Sequence, residues 1–268
     1  MIAEHHQGTP RVLSSLAASI ALLTSVSSLL DLDVYRPTTP VALLPGAASQ
    51  DLVTGVASLG ILGCVLAIRR GHEKLWLVWA GLLAYLTYGY ALYAFERVYN
   101  GLFLAYVAIL GLSVYALGSF FARADLSAVS ARGARPPPRR STASLLLVLL
   151  LLFVTLWLSI LIPAMASRTP PPGSAIFVLD LAFFLPLVGL EAVLLLRASH
   201  LGDVLAVPVL VKLVTLGTSV LIGTLLVPLF GGTMAPGEVA TYTLLGVAPL
   251  GFLLLFWRRI TVDGSRTP

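Results

Sequence analysis

From Ala143 to Met165 the chain reads ASLLLVLLLLFVTLWLSILIPAM, a run of 23 residues without a charged side chain. The hydrocarbon core of a bilayer is about 30 Å thick and is crossed by roughly 20 apolar residues in helical conformation. This stretch therefore predicts a transmembrane helix. A barrel strand does not fit, because such strands alternate polar and apolar residues over about ten positions.

The composition of the whole chain supports the same class. Of its 268 residues 58% are hydrophobic and only 11% are charged, and the mean hydropathy is +0.95. A soluble domain carries roughly 25% charged residues, so a water-soluble enzyme and a disordered regulator are both excluded. The single cysteine cannot form an internal disulfide, which excludes a secreted disulfide scaffold. We expect an all-α integral membrane protein.

Seven further stretches are long and apolar enough to span the membrane, which gives eight transmembrane helices. They are Val12–Leu30, Asp51–Ile68, Leu75–Phe95, Leu102–Phe121, Ala175–Leu196, Val204–Phe230 and Val239–Trp257. The first is diluted by six serines and could also be read as a signal peptide. It lacks a clear cleavage site of small residues, so we treat it as a helix, although the sequence leaves its retention open.

The basic residues indicate the orientation of the eight spans. With a cytoplasmic amino terminus, thirteen of the seventeen Lys and Arg residues fall in inner segments and three in outer segments, while Lys212 lies within a span. Because Lys and Arg resist translocation, this distribution predicts that both termini are cytoplasmic. It also explains the net charge of +5 without a nucleic-acid partner.

A Pro- and Arg-rich linker, residues 123–142, divides the spans into two sets of four, residues 1–122 and 143–268. Each set carries on its second span an Asp near the outer end, an Arg at the inner end and a His three residues later. These residues are Asp51, Arg69 and His72 in the first set, and Asp180, Arg197 and His200 in the second. Two parallel four-helix repeats would explain the match, and chance similarity in such biased sequence is the alternative.

The linker contains the densest basic cluster of the chain, RGARPPPRR at residues 132–140. Arginine side chains near a membrane surface gain about 1 kcal/mol each from anionic lipid headgroups. The arginines that could make such contacts are Arg132, Arg135, Arg139 and Arg140. A flexible linker that only sets the topology is the other interpretation. The sequence leaves an oligomer or a partner subunit open.

Catalytic signatures are missing from the sequence. It has no phosphate-binding Gly-Lys-Ser/Thr loop, no HExxH pair, no paired cysteines and no GxSxG turn. We therefore predict no catalytic residue, no cofactor and no metal, and we favour a protein that is not an enzyme.

Three ionisable residues lie within the predicted spans, where a charge is costly and usually faces a partner or a wet cavity. They are Asp180 and Glu191 in the sixth span and Lys212 in the seventh. At 1.5 Å per residue, Glu191 lies about 9 Å and Lys212 about 12 Å from the inner ends of these spans. Because a short loop joins the two spans, we expect an ion pair between Glu191 and Lys212. The pair would either lock the helices together or relay ions.

The third span adds a stripe of polar side chains. At about 100° per residue, Tyr85, Tyr88 and Glu96 fall within roughly 80° of one another. Hydrogen bonds between helices explain such a stripe, and the lining of a polar pathway is the alternative.

Several segments resemble a pattern in uncharacterised prokaryotic multi-pass integral membrane proteins. The segments are YGYALYAF at residues 88–95, NGLFLAYVAILGLS at residues 100–113, Val178–Leu181 and Pro208–Lys212. No activity is established for that group. The resemblance implies a prokaryotic plasma membrane and adds no mechanism.

Two functions from different classes fit these features. One is a small-solute or ion and proton transporter with a polar site among the third, sixth and seventh spans. Its site would comprise Asp180, Glu191, Lys212, Tyr85, Tyr88 and Glu96. The other is a non-catalytic membrane subunit whose buried charges fix helix packing, and an intramembrane enzyme is a less favoured third. A transporter predicts a water-accessible cavity that joins the charges, whereas a subunit predicts a dry, paired cluster.

Overall fold

The computed structural model describes residues 7–131 and 136–262. In this part of the chain eight helices are long and apolar enough to cross a membrane, as expected for a multi-pass membrane protein. In chain order they are α1 Gly8–Leu30, α2 Leu44–Ile68, α3 Leu75–Phe95, α4 Phe103–Phe121, α5 Arg139–Ser167, α6 Ser174–Leu196, α7 His200–Leu226 and α8 Pro236–Arg259. The described residues also form two short strands, β1 Val129–Ala131 and β2 Ile260–Val262.

Prolines and left-handed residues set several helix ends. Pro45 and Pro236 stand in the first turns of α2 and α8, where a missing N–H breaks no helical hydrogen bond. The residue directly after α5 is Arg168, which has a left-handed backbone with φ 54°, and three prolines follow at positions 170–172. Some helices are longer than hydropathy predicts, because small and polar residues occupy their first turns. Helix α2 begins seven residues before Asp51, and α7 begins four residues before Val204.

The two sets of four helices pack differently. Helices α1 to α4 close into a ring, in which α1 contacts α2 and α4, and α3 contacts the same two helices. Helices α5 to α8 form an open row, in which each helix contacts the next. The row joins the ring through α7, which packs against α2 and α3. The halves share a helix number but not a packing arrangement, and the predicted repeat stays a prediction.

The ring holds the largest buried side chains. Trp76 and Trp79 of α3 pack against Phe120 of α4, with ring centroids 5.2 and 5.3 Å from the Phe120 ring. The Trp79 indole N–H also donates to Ser14 Oγ of α1 at 3.0 Å. In contrast, only 11% of the most apolar window of α5 is buried, as expected for a helix that faces lipid.

Three segments meet at one end of the bundle, which we name the inner end because the basic residues predict that it faces the cytoplasm. Strand β1, in the α4–α5 linker, pairs antiparallel with β2 beyond α8. Lys74, in the α2–α3 loop, donates to the carbonyl oxygens of Trp257 and Ile260. The α1–α2, α3–α4 and α5–α6 loops meet at the opposite end, named the outer end.

The described part of the linker contains regular structure, which a flexible linker would lack. Besides β1 it contains a short 3-10 turn, Leu126–Ala128, and its last four residues already belong to α5. Arg139 donates to both carboxylate oxygens of Asp203 in α7, at 2.7 and 2.5 Å, so this arginine has a protein partner. Arg132 and Arg135 lie outside the described residues. The lipid contacts stay a prediction.

Two glycines allow close contacts of α7 with its neighbours. A Cβ atom at Gly81 of α3 would lie 2.5 Å from Val211 Cβ and 2.6 Å from the Pro208 carbonyl oxygen in α7. A Cβ atom at Gly217 of α7 would lie 2.9 Å from the Leu245 carbonyl oxygen in α8. Small residues let helix backbones approach closely, so these glycines hold α7 between α3 and α8.

Candidate functional site

Asp180 lies in a widened turn of α6. Asp180–Phe184 form a π-helical turn, closed by the Leu185 N–H, which donates to the Asp180 carbonyl oxygen. Pro186 follows, and a proline removes one helical hydrogen bond while its ring crowds the carbonyl one turn earlier. A π turn accommodates this conflict, and such turns are frequent at functional sites.

The Asp180 carboxylate accepts hydrogen bonds from two other helices. Tyr88 of α3 donates its hydroxyl to Oδ1 at 2.8 Å, and Trp157 of α5 donates its indole N–H to Oδ2 at 2.9 Å. Trp157 also packs edge-on against Phe177 of α6, with ring centroids 4.9 Å apart. Both oxygens of Asp180 thus have a partner, and the residue ties α3, α5 and α6 together.

Lys212 of α7 lies beside the same side chains. Its Nζ lies 2.9 Å from the centre of the Phe184 ring and 3.9 Å from the centre of the Tyr88 ring, and it makes no hydrogen bond. Only 5% of Lys212 is exposed, and Asp180 is the charge that acts on it through space. A desolvated cation gains about 2 kcal/mol over an aromatic face, less than the several kcal/mol that burying an ion costs. We name Asp180, Tyr88, Trp157, Phe184 and Lys212 the Asp180 cluster.

The predicted ion pair between Glu191 and Lys212 is wrong. Glu191 is fully buried, and neither its two carboxylate oxygens nor Lys212 Nζ has a hydrogen-bond partner. The prediction started the seventh span at Val204, whereas α7 starts at His200. Lys212 therefore stands about 18 Å above the inner end of α7, and Glu191 only about 8 Å above the inner end of α6. At this height Lys212 lies beside Tyr88 and Phe184 instead.

The other predicted site residues lie away from the Asp180 cluster. Tyr85 faces α2, where its hydroxyl donates to the Gln50 carbonyl oxygen at 3.5 Å. Glu96 accepts the Ala175 N–H at the start of α6 and borders a cavity of about 550 Å³ at the outer end. The structure therefore brings together Asp180, Tyr88 and Lys212. It does not bring Tyr85, Glu96 or Glu191 to them.

A second buried carboxylate, Asp51, lies inside the ring of α1 to α4. Tyr35, in the α1–α2 loop, donates to Asp51 Oδ2 at 2.7 Å, and its hydroxyl oxygen lies 3.3 Å from that of Tyr93. Burial, and after it the Asp51 carboxylate, raises the pKa of the Tyr35 phenol, so this side chain stays a donor. Ser28 Oγ lies beside the Tyr35 hydroxyl, buried and without a hydrogen bond. We name Asp51, Tyr35, Tyr93 and Ser28 the Asp51 cluster.

One signal in the sequence could have identified Asp51 as a site. An ionisable side chain within a span is the rule that identifies Asp180 and Lys212. With the second span predicted to start at Asp51, that residue reads as a boundary. Because α2 begins at Leu44, Asp51 stands about 10 Å inside the helix. Trp157 has no comparable signal, since an aromatic residue is ordinary in an apolar span.

The two clusters differ in which charged groups they contain and in which of these groups lack a hydrogen-bond partner. The Asp180 cluster has a carboxylate whose oxygens are both engaged and an ammonium whose donors are not. The Asp51 cluster has a carboxylate and, among the described residues, no Lys or Arg within ion-pair distance. In the described part of the chain no group of three His, Cys, Asp or Glu side chains is placed to hold a metal ion.

Comparison of the chain with protein-family models, with curated proteins and with solved structures finds no match.

Proposed function

We propose that the protein is a transporter of a prokaryotic plasma membrane, which moves a proton, a small ion or a small solute past the Asp180 cluster. The observation that carries the proposal is Lys212, a buried residue about 18 Å from the inner end of α7 whose Nζ makes no hydrogen bond. A charged side chain at this depth is costly, and in membrane proteins such residues commonly mark the route of an ion or a substrate.

The chemistry of the cluster fits transient binding. Tyr88 and Trp157 occupy both oxygens of Asp180, which leaves the Lys212 ammonium with only ring faces and a through-space attraction to that carboxylate. An entering acceptor group could bind the Lys212 donors. Uptake of a proton by the Asp180 carboxylate is the other event that the cluster supports. Either event changes the charge balance at a π turn, where the helix is already irregular.

A groove supports access from the outer end. It lies between α5 and α6, has a volume of about 640 Å³ and is lined by Phe177 and Leu181 on α6. Phe177 packs on Trp157, and Trp157 donates to Asp180. Phe177 and Trp157 are thus the two side chains that stand between this groove and the carboxylate.

Glu191 supports a continuation toward the inner end. It follows Asp180 by eleven residues on α6, which is about 16 Å along the helix, and it is fully buried without a hydrogen bond. Asp203 of α7 is the charged group that acts on Glu191 through space, and Arg139 donates hydrogen bonds to Asp203. A buried carboxyl group without a partner is destabilising, so a role in relaying a proton or cation would explain why it is there.

The alternative is a non-catalytic subunit whose buried charges only fix helix packing. One observation favours it, namely that Asp180 has a donor on each oxygen and ties three helices together. In that case the cluster is a structural junction. The free donors of Lys212 favour the transporter, since a packing device gains nothing from an unpaired ammonium.

The experiment is a flux assay with the full chain reconstituted into liposomes that contain a pH-sensitive dye. With a pH gradient imposed, we expect the wild-type protein to dissipate it faster than empty liposomes do. Asp180→Asn and Lys212→Met should reduce the rate to that of empty liposomes. Glu238→Gln is the matched control, because Glu238 is exposed at the start of α8.

A solute substrate would be silent in the proton assay. For that case we propose profiling the ions and metabolites of cells that lack the gene, complemented with the wild-type or the variant chain. A profile restored equally by wild type and by Lys212→Met at equal folded level, together with no proton flux, would favour the subunit.

A further inference from the structure

The Asp51 cluster is a second polar site, about 10 Å from the outer end of α2 and outside the proposed transport site. Asp51 is 2% exposed and lies within a ring of four apolar helices. In the Asp180 cluster Lys212 provides the positive charge. Near Asp51 the described residues provide none, and the groups that act on it are tyrosines.

The surroundings of Asp51 are rich in oxygen atoms. The Tyr35 hydroxyl lies 2.7 Å from Asp51 Oδ2 and 3.3 Å from the Tyr93 hydroxyl, and Tyr93 in turn lies 3.4 Å from the Ala47 carbonyl oxygen. Ser28 Oγ is 1% exposed as a residue, makes no hydrogen bond and lies beside the Tyr35 and Tyr106 hydroxyls. An unpartnered buried hydroxyl at this point is a donor or acceptor that a ligand can use.

The packing limits what the occupant can be. Tyr90, Tyr93 and Tyr106 lie with ring centroids between 4.9 and 5.9 Å apart, so the rings touch and leave no space for an organic cation. One carboxylate balances one positive charge. Carboxylate, hydroxyl and carbonyl oxygens are the ligands of hard cations. A small monovalent metal ion satisfies all three conditions.

We propose that Asp51, Tyr35, Tyr93 and Ser28 form a sodium-binding site that fills from the outer end. Tyr35 lies in the α1–α2 loop at the outer end, directly after the 3-10 turn Leu32–Val34, and contacts Asp51 from there. Sodium neutralises the Asp51 carboxylate and engages the Ser28 hydroxyl, which otherwise has no partner.

The test measures sodium binding to the full chain, purified in detergent in choline chloride buffer. Radioactive sodium should bind saturably with one ion per chain, and replacement of choline by sodium at constant chloride should raise the melting temperature by about 2–4 °C. Asp51→Asn should abolish both effects. Asp33→Asn is the matched control, since Asp33 is an exposed carboxylate in the same loop, and should leave both effects unchanged.

Ser28→Ala keeps the test decisive if Asp51→Asn fails to fold. The Ser28 hydroxyl makes no hydrogen bond, so its removal should leave the fold intact while sodium affinity falls about tenfold. Sodium binding that is absent in the wild type, or undiminished in Ser28→Ala, would overturn the proposal. An equal response to potassium would show that the effect is not specific to sodium, and stability that follows pH but not sodium would identify the occupant as a proton. Both results would also reject the sodium site.

Discussion

Asp51 and Asp180 each lie on the second helix of a four-helix set, and each accepts a tyrosine hydroxyl, but their surroundings differ. Asp51 lies in a closed ring and takes its donor from a loop, Tyr35. Asp180 lies in an open row and takes donors from Tyr88 of the ring and Trp157 of the row. Among the described residues the closed site has no Lys or Arg, whereas the open site contains Lys212.

The difference shows two ways in which a buried carboxylate can be neutralised. At Asp180 the opposite charge is part of the chain, so removal of one group leaves the other exposed to the low-dielectric interior. At Asp51 the described residues supply no opposite charge, and we propose that sodium from the solution supplies it. The first arrangement makes stability depend on a second residue, and the second makes it depend on the solution.

The largest effect is expected at Asp180. Asp180→Asn should lower the free energy of unfolding by about 3–5 kcal/mol, because Lys212 then remains buried without an opposite charge. Denaturation by sodium dodecyl sulfate measures this loss, and adding Lys212→Met to the variant should recover most of it. Asp51→Asn in sodium-free buffer is the matched change and should cost far less. Equal losses at the two aspartates would contradict the comparison.

The next effect separates the two tyrosine donors. Tyr35→Phe should lower the free energy of unfolding by about 1.5–3 kcal/mol, since it removes a hydrogen bond to a buried carboxylate. Tyr88→Phe should cost less, because Trp157 still donates to Asp180 and the new ring can still contact Lys212. Thermal unfolding of both variants decides the order. A larger loss for Tyr88→Phe would mean that the loop donor is dispensable.

A similar or smaller effect is expected where the ring meets the row. Gly81→Ala should destabilise by about 1–3 kcal/mol, because its Cβ would overlap Val211 and the Pro208 carbonyl oxygen. Gly118→Ala in α4 is the control, since a Cβ atom there meets nothing within 4 Å. Melting temperatures compare the two. If Gly81→Ala is as stable as Gly118→Ala, the α3–α7 contact is looser than described.

The smallest effect is a coupling close to zero. Glu191→Gln and Lys212→Met change groups that do not contact each other, so their effects on the free energy of unfolding should add to within about 0.5 kcal/mol. A double-mutant cycle measures the coupling. A value above about 1 kcal/mol would restore the ion pair that the sequence predicts, and with it a different position for Lys212.

Hydropathy predicts the eight helices because each span needs about 20 mostly apolar residues. This requirement can be read from the local sequence alone. Helix starts are harder, since small and polar residues can continue a helix beyond its apolar window. The first turns of α2 and α7 that hydropathy misses account for the two main errors. Asp51 reads as a boundary residue, and Lys212 is placed about 6 Å too close to the inner end.

The partners of the buried charges could not be predicted from the sequence. Asp180, Tyr88 and Lys212 were each predicted as site residues, because an ionisable or hydroxyl group in a span needs an explanation. Which of them meet depends on how α3, α5, α6 and α7 pack, and the ring-and-row arrangement is a property of the whole chain. Trp157 becomes a donor to Asp180 only through that packing.

The pairing of β1 with β2 also has a consequence for biosynthesis. The Trp257 carbonyl group that binds Lys74 lies near the end of α8, and Ile260 and strand β2 follow α8, so these groups leave the ribosome only after the first seven helices have been made. The contacts at the inner end therefore form only after α8 and β2 have been made. A chain truncated within α8 would leave β1 as an unpaired strand edge on that face. Proteases that survey newly inserted membrane proteins could then recognise the incomplete chain.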